Sequence, residues 1–513
     1  MAQIQIQHLT FAYPTGSENI FEDVSLQIDT NWKLGLIGRN GRGKTTLLRL
    51  LQNQYEQYEY AGTIQSPVLF DYFPYPVADE QKQTREIVQK INPEVEEWQI
   101  DRELSYLDVD PEVLDRPFET LSNGERTKVL LAALFLKEGH FLLIDEPTNH
   151  LDLHGRQLVA QYLKRKRGFI LVSHDRAFLD GCIDHVLAIN KTSMDIQSGN
   201  YSSWLQNFEQ RQTGEIARHT QLKKEIASMQ KSARQRADWS KKTEAQKFGN
   251  GPVDRGFIGH KSAKMMKRAK AIEKRRADAI EQKAGLLQDL ETIDDLKLFP
   301  LHDISGDLVG LDEVEIFYDG HPVSRPVSFR IQDKECIVFN GVNGSGKSSL
   351  LKLICGSSLS GADLEYQGTL YKPARLRISY VCQDPSFLKG DLKTYARDQE
   401  IDESLFKAIL RKMGFERAQF EKQMEDFSAG QKKKVLIAGS LCQKAHLYIW
   451  DEPLNYIDLD SQRQIEELIQ RFEPTMILVE HDAAFQQAVA TQIVKIESAK
   501  TVREMNRIEK QAK

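Results

Sequence analysis

The sequence is poor in cysteine and has no long apolar stretch. Five cysteines, Cys182, Cys336, Cys355, Cys382 and Cys442, are scattered over 513 residues, with no CxxC and no histidine pairing. An odd count without regular spacing leaves no disulfide framework and points to a reducing, cytoplasmic setting. Nothing approaches the roughly 18 consecutive apolar residues of a membrane span, so no membrane partner is expected. The N-terminal MAQIQIQHLTFAYP lacks the basic-then-apolar order of a secretory signal. Apolar runs such as 141–144 and 337–339 have the length of buried strands. Hydrophobic residues make up 40% and charged residues 28%, a globular rather than disordered balance. At roughly 100–200 residues per domain, the length accommodates two to four domains.

Charge is unevenly spread. The formal net charge is −5, yet residues 211–283 carry 20 Lys/Arg against 8 Asp/Glu, a local +12. The remainder then holds 49 against 66, or −17. A basic segment between two acidic globular parts points to a polyanionic partner.

The chain repeats itself at an offset of about 300 residues. Gly38-Arg-Asn-Gly-Arg-Gly-Lys-Thr45 recurs as Gly341-Val-Asn-Gly-Ser-Gly-Lys-Ser348. Leu121-Ser-Asn-Gly-Glu125 recurs as Phe427-Ser-Ala-Gly-Gln431, Leu143-Ile-Asp-Glu-Pro147 as Ile449-Trp-Asp-Glu-Pro453, and Val172-Ser-His-Asp175 as Val479-Glu-His-Asp482. The spacings agree: Lys44 to Ser122 is 78 residues and Lys347 to Ser428 is 81, while Ser122 to Glu146 and Ser428 to Glu452 are both 24. Four motifs in one order, twice, define two halves, 1–205 and 300–497. A basic segment, 206–299, lies between them, and a polar tail, 498–513, follows.

Each glycine-rich loop follows a strand-like run (33–37; 335–339) and opens a helix-like one (46–51; 349–354), the context of a phosphate-binding loop. Backbone N–H groups of Gly38, Arg39, Asn40, Gly41, Arg42 and Gly43, and of Gly341, Val342, Asn343, Gly344, Ser345 and Gly346, can close around phosphate oxygens at a helix N-terminus. Lys44 and Lys347 reach the β/γ-phosphates of ATP, and Thr45 and Ser348 offer hydroxyls to Mg²⁺, with Thr46 and Ser349 next in each loop. Asp145 and Asp451 end buried-strand runs, where a carboxylate can hold the metal. Glu146 and Glu452 follow and can polarise the attacking water. His174 and His481 also end apolar strands and can sense the γ-phosphate. The alternative for each histidine is a satisfied structural residue.

With these motifs in place, both halves resemble ATP-binding cassette (ABC) domains: an α/β fold of two tandem P-loop cassettes. The resemblance assigns Walker A to 38–45 and 341–348, Walker B to 141–146 and 447–452, signatures to 121–125 and 427–431, and D-loops to Asp152 and Asp458. It implies head-to-tail packing, with Ser428 and Gly430 capping ATP on the first loop, Ser122 and Gly124 capping ATP on the second, and Tyr13 and Tyr318 stacking on adenine. It also implies an intramolecular pair of sites in a functional monomer. Gln383 fits the Q-loop glutamine that touches the metal. The matching place in the first half reads Tyr72-Phe-Pro-Tyr75, so tyrosine stands for glutamine. Phe427, Leu454 and Glu480 also depart from their counterparts Leu121, Thr148 and Ser173. These differences imply two unequal sites.

In the basic segment, Leu222, Ile226, Met229 and Ala233, then Met265, Ala269, Ile272, Ala279, Leu286, Leu290 and Ile293, recur at helical spacing around a turn-rich break at 248–257. The pattern predicts a helical hairpin with its tip at about 240–260 and aromatics Trp239, Phe248 and Phe257 flanking it. Tandem cassettes joined by such a hairpin resemble the ABC-F family, which binds the ribosome. Residues 31–44, 447–456 and 479–482, with a short arm at about 76–120, resemble the Lsa-type resistance branch. The resemblance implies binding at the tRNA exit site of the 70S ribosome, beside P-site tRNA and 23S rRNA near the peptidyl-transferase centre. It implies displacement of lincosamides, streptogramin A compounds and pleuromutilins, with Lys247, Phe248, Arg255 and Phe257 as tip candidates. The alternatives are a housekeeping ABC-F translation factor, the ATPase subunit of an exporter, and a DNA-maintenance ABC protein.

Overall fold

The computed structural model describes residues 2–13, 19–53, 60–149, 151–190, 193–214, 224, 296–318, 320–356 and 364–499. The chain divides into two units, Met1–Ser202 with Ile293–Lys513, and Ser203–Thr292. Of the second unit, the described part is the helix over 203–214 and Lys224. The hairpin pattern and the tip candidates Lys247, Phe248, Arg255 and Phe257 lie outside the described residues.

In the first cassette, β1 (Gln3–Phe11), β2 (Phe21–Asp29) and β4 (Tyr60–Gln65) form an antiparallel sheet in the order β2-β1-β4. A second sheet joins β3 (Lys33–Ile37), β5 (Leu69–Phe73), β6 (His140–Asp145), β7 (Phe169–Val172), β8 (His185–Ile189) and β9 (Met194–Ser198) in the order β5-β6-β7-β3-β8-β9. All its pairs are parallel except β8 with β9. Strands β6 and β7 read HFLLID and FILV, near-continuous apolar runs, because a parallel strand is covered on both faces.

The second cassette repeats the plan. β10 (Val309–Tyr318) pairs antiparallel with β11 (His321–Pro322), β12 (Val327–Ile331) and β14 (Leu364–Tyr371). β13 (Cys336–Asn340), β15 (Ile378–Val381), β16 (Leu447–Asp451), β17 (Met476–Val479) and β18 (Gln492–Lys495) form a parallel sheet in the order β15-β16-β17-β13-β18.

Each P-loop helix is wedged between the two sheets of its cassette. Leu47 and Leu48 of Lys44–Leu51 pack with Ile4, Phe11, Phe141 and Ile170. Leu350, Leu351 and Ile354 of Lys347–Cys355 pack with Leu311, Ile316, Ile449 and Ile477. Each fully buried leucine contributes about 1.5–3 kcal/mol, so the loop is anchored through its helix. The strands' C-terminal ends then bring Asp145, Glu146 and His174, and Asp451, Glu452 and His481, to one edge of each sheet.

The signature serines start helices. Ser122 and Ser428 cap Asn123–Phe135 and Ala429–Cys442, each in a reciprocal capping box with Glu125 or Gln431 three residues on. Phe427 is buried edge-on against Phe415, with ring centroids 5.6 Å apart. Its exchange for leucine is therefore a packing change in the core of the second cassette.

Candidate active sites

The second site is composite. A cavity of about 700 Å³ is lined on one side by Ser122, Gly124 and Asp152 of the first cassette. On the other side stand Tyr318, Asn343, Gly344, Gly346, Lys347, Ser348, Ser349, Gln383, Glu452 and His481 of the second. Lys347 Nζ donates to the carbonyls of Gly341 and Val342 at 2.8 and 2.9 Å, which centres its charge over the loop. Gly341 could not be otherwise, since a Cβ there would fall 2.2 Å from the Ile496 carbonyl. Ser345 is fully buried behind the loop. The Tyr318 hydroxyl lies 3.0 Å from Ser349 Oγ.

Glu452 sits at φ 47°, a left-handed conformation that side chains rarely adopt without support. Its carboxylate accepts from Gln383 Nε2 at 2.9 Å and Asn455 Nδ2 at 2.6 Å, and His481 Nε2 stands 3.7 Å away. Burial works to raise its pKa, but His481, the Gln383 amide and the Lys347 charge hold it below the ordinary glutamate value. Burial raises Asp451 to about 6 against the opposing Ser348 hydroxyl.

At the first site, Lys44 Nζ donates to the carbonyls of Gly38 and Arg39 at 2.7 and 3.3 Å and to Asn40 Oδ1 at 3.3 Å. Thr45 Oγ1 donates to Asp145 Oδ2 at 3.0 Å, and the Tyr13 hydroxyl lies 3.0 Å from Thr46 Oγ1. Gly41, Arg42 and Gly43 complete the loop, Gly43 with φ 89° directly before the helix. The second cassette touches this loop: Asn40 Nδ2 donates to the Tyr456 carbonyl at 2.8 Å, and Arg39 pairs with Asp460 at 3.1 Å. Gly430 is part of that contact, because a Cβ there would lie 2.4 Å from the Tyr456 carbonyl and 3.0 Å from Asn40 Nδ2. Ser428 caps the same helix.

Glu146 is also left-handed, at φ 52°. Burial, then the neighbouring Asp145, push it up to about 8. Its Oε1 lies 3.3 Å from His174 Nε2, and among the described residues it is buried without a hydrogen-bond partner. Burial and the Lys44 charge lower His174 to about 3, so the imidazole is neutral. Register explains the difference from Glu452. Phe73 pairs with Ile144 as Val381 pairs with Trp450, so Tyr75 occupies the place of Gln383. Glu146 there has no glutamine amide.

Two other departures form one substitution in space. Thr148 Oγ1 lies 3.2 Å from Ser173 Oγ in the first half. In the second, Leu454 has no hydroxyl, and Glu480 accepts instead from the backbone N–H of Leu454 at 3.1 Å and of His481 at 2.7 Å.

The residues present fit a magnesium nucleotide. Asp451 Oδ1 and both His481 ring nitrogens are buried without hydrogen-bond partners among the described residues, as expected of groups awaiting a ligand. The cavity is also within the size range of small-molecule sites. In such a site the nucleotide and its metal would supply the phosphate to be cleaved and its charge neutralisation.

Residues beyond the motifs also bear on the sites. Tyr72 donates its hydroxyl to Asp145 Oδ2 at 2.7 Å, the oxygen that also accepts from Thr45. Arg156 donates to the Leu151 carbonyl and pairs with Asp175 at 2.8 Å. Lys434 pairs with Asp458 at 2.5 Å. Tyr72 recurs as Tyr380 at matching spacing, a signal the sequence did contain. The pairings of Arg156 and Lys434 depend on chain crossings that spacing does not reveal.

Two P-loop cassettes, each completed by the other's signature helix, define an ATPase with paired sites. The ABC transporter family model matches residues 21–149 and 324–455. The chain belongs to the ABC family, as a tandem-cassette ATP hydrolase of its ABC-F group. It is 26% identical over 521 residues to ribosome protection protein VmlR of Bacillus subtilis strain 168, covering 98% of this chain and 87% of that protein. It is 25% identical over 511 residues to ATP-binding protein Uup of Buchnera aphidicola subsp. Acyrthosiphon pisum strain APS, covering 94% and 79%. Among solved structures, archaeal ribosome recycling factor aABCE1, crystallised with stalk protein aP1, superposes with a TM-score of 0.60 at 17% identity, covering 98% of this chain and 92% of that one. That likeness concerns the fold. Among the described residues no helix is long and apolar enough to cross a membrane.

Proposed function

We propose that this chain is a cytoplasmic ribosome-protection ATPase. It binds the tRNA exit site of the 70S ribosome with Mg²⁺ and ATP at both sites. Closure of the cassettes drives the basic segment 206–299 towards the peptidyl-transferase centre, where lincosamides, streptogramin A compounds and pleuromutilins are dislodged. Hydrolysis reopens the pair. The observation that carries this reading is a match to a ribosome protection protein along 98% of the chain, including the basic +12 segment between the cassettes. That segment is suited to 23S rRNA and P-site tRNA because phosphate backbones select for Lys and Arg. Lys247, Phe248, Arg255 and Phe257 are the proposed tip residues, since aromatics beside basic groups can stack on exposed bases.

The test is Glu146→Gln with Glu452→Gln. The double variant should stay on 70S ribosomes through sedimentation when ATP is present and leave them when it is absent. Release at the unmodified rate would overturn the clamp. A housekeeping translation factor of the same family is the second reading, because the chain is about as similar to ATP-binding protein Uup (25% identical) as to the ribosome protection protein (26%), so identity does not single out a drug role. Growth of a susceptible host on a lincosamide panel, with and without the protein, separates the two.

A further inference from the structure

A buried lysine with a threonine counterpart lies beneath the second site. Lys433 is five residues after Ser428, and Thr127 holds that place after Ser122. Lys433 is only 1% exposed. Its ammonium donates to the backbone carbonyls of Cys382 at 2.8 Å, Gln383 at 3.2 Å and Asp451 at 3.0 Å. All three of its donors are therefore used. Taking an ammonium out of water costs several kcal/mol, and a methionine would fill the space without that cost. What offsets that cost is the set of three carbonyls the ammonium holds.

What it holds are the two loops that carry the chemistry. One ends β15 and presents Gln383; the other ends β16 and presents Asp451 and Glu452. The Asp451 carbonyl belongs to the peptide that leads into Glu452. The N–H of that peptide donates to the Val479 carbonyl at 2.9 Å, so Lys433 fixes its opposite side. Glu146 adopts a similar left-handed backbone, with the same N–H bond to Val172 but no lysine, so what Lys433 adds is not that conformation but a fixed carbonyl side to the peptide leading into Glu452 and a tie from it to the neighbouring loop. The same lysine fixes the loop from which Gln383 reaches Glu452 at 2.9 Å.

We propose that Lys433 is a positioning residue for hydrolysis at the second site, keeping the Gln383 amide on the Glu452 carboxylate. The first site, with Thr127 and Tyr75, lacks both halves of this device. The inference concerns ATP turnover alone and stands whether or not the protein protects ribosomes.

The experiment uses the full chain with Glu146→Gln, so that second-site hydrolysis is read without ribosomes. Lys433→Met should lower kcat about a hundredfold while leaving KM and nucleotide affinity unchanged, the signature of lost positioning. Added to Gln383→Ala, it should cause little further loss, because both changes break one unit. An unchanged kcat, a loss carried in KM, or losses that multiply with Gln383→Ala would each overturn the proposal. If Lys433→Met does not fold, Lys433→Gln, whose amide offers two N–H donors and no charge, is judged by the same criteria. Failure of both to fold assigns the lysine to stability and overturns it as well.

Discussion

Gln383 donates its side-chain amide to Glu452 at 2.9 Å, whereas Glu146, its counterpart in the first cassette, keeps a buried oxygen without a hydrogen-bond partner among the described residues. The two carboxylates share a left-handed backbone and a strand-end position. They differ in the loop that faces them, which offers an amide in one half and Tyr75 in the other.

That difference predicts unequal turnover. In a Glu146→Gln background, Gln383→Ala should lower second-site hydrolysis about 10–100-fold, the usual cost of an outer-shell partner. In a Glu452→Gln background, Tyr75→Gln should raise first-site hydrolysis. Single-turnover phosphate release measures both. Equal rates before and after substitution would remove the Q-loop as the source of asymmetry.

The exchange of Thr148 and Ser173 for Leu454 and Glu480 predicts coupled stabilities. Glu480→Ala leaves the buried N–H groups of Leu454 and His481 without their acceptor and should destabilise the second cassette by about 3 kcal/mol. Glu480→Ser alone should be nearly as harmful. Combined with Leu454→Thr, it should recover about 1 kcal/mol or more as the hydroxyl pair of the first cassette is rebuilt. Thermal denaturation of the single and double variants gives the coupling.

The fold class and the motif-bearing elements are legible in the sequence because they are local. The apolar runs at 169–172 and 476–479 coincide with β7 and β17. The run at 335–339 is displaced by one residue from β13, since the Glu335 N–H is used in a turn, donating to the Gln332 carbonyl at 3.3 Å. What spacing cannot show is which side chain closes on which loop. Tyr72 reaches Asp145 across 73 residues through sheet register, and Lys433 reaches Cys382 across 51. Phe427 reads as a changed signature, but its ring is spent on Phe415. The Asn40–Tyr456 contact spans 416 residues and exists only because the cassettes pack together.

Ion pairs near the sites differ sharply in expected worth. Arg39 and Asp460 join the first P-loop to the second cassette, but their side chains are 23% and 32% exposed. Asp460→Ala should therefore cost under about 1 kcal/mol. Arg156 and Asp175 pair at 2.8 Å at 9% and 6% exposure. Arg156→Ala strands a buried carboxylate and should cost about 3–5 kcal/mol. Denaturation of the two variants side by side checks the order. A larger loss from Asp460→Ala would show that the cassette contact carries more than its solvent exposure implies.

Asp482 gives the stability a pH dependence of unusual sign. Burial, then the nearby Asp175, raise its carboxyl to about 6, against the Phe485 N–H and the Arg176 guanidinium, which favour the ion. The folded protein thus binds this proton more tightly than the unfolded chain does. The group's contribution is fully present below about pH 4 and is lost as pH rises through about 6, by at most about 3 kcal/mol. Asp482→Asn mimics the protonated form and can keep the cap on the Phe485 N–H. It should leave melting of the nucleotide-free protein unchanged near pH 4 and raise the melting temperature near pH 8. Equal effects at both pH values would show that the charge of Asp482 is compensated in the fold, by Arg176 above all.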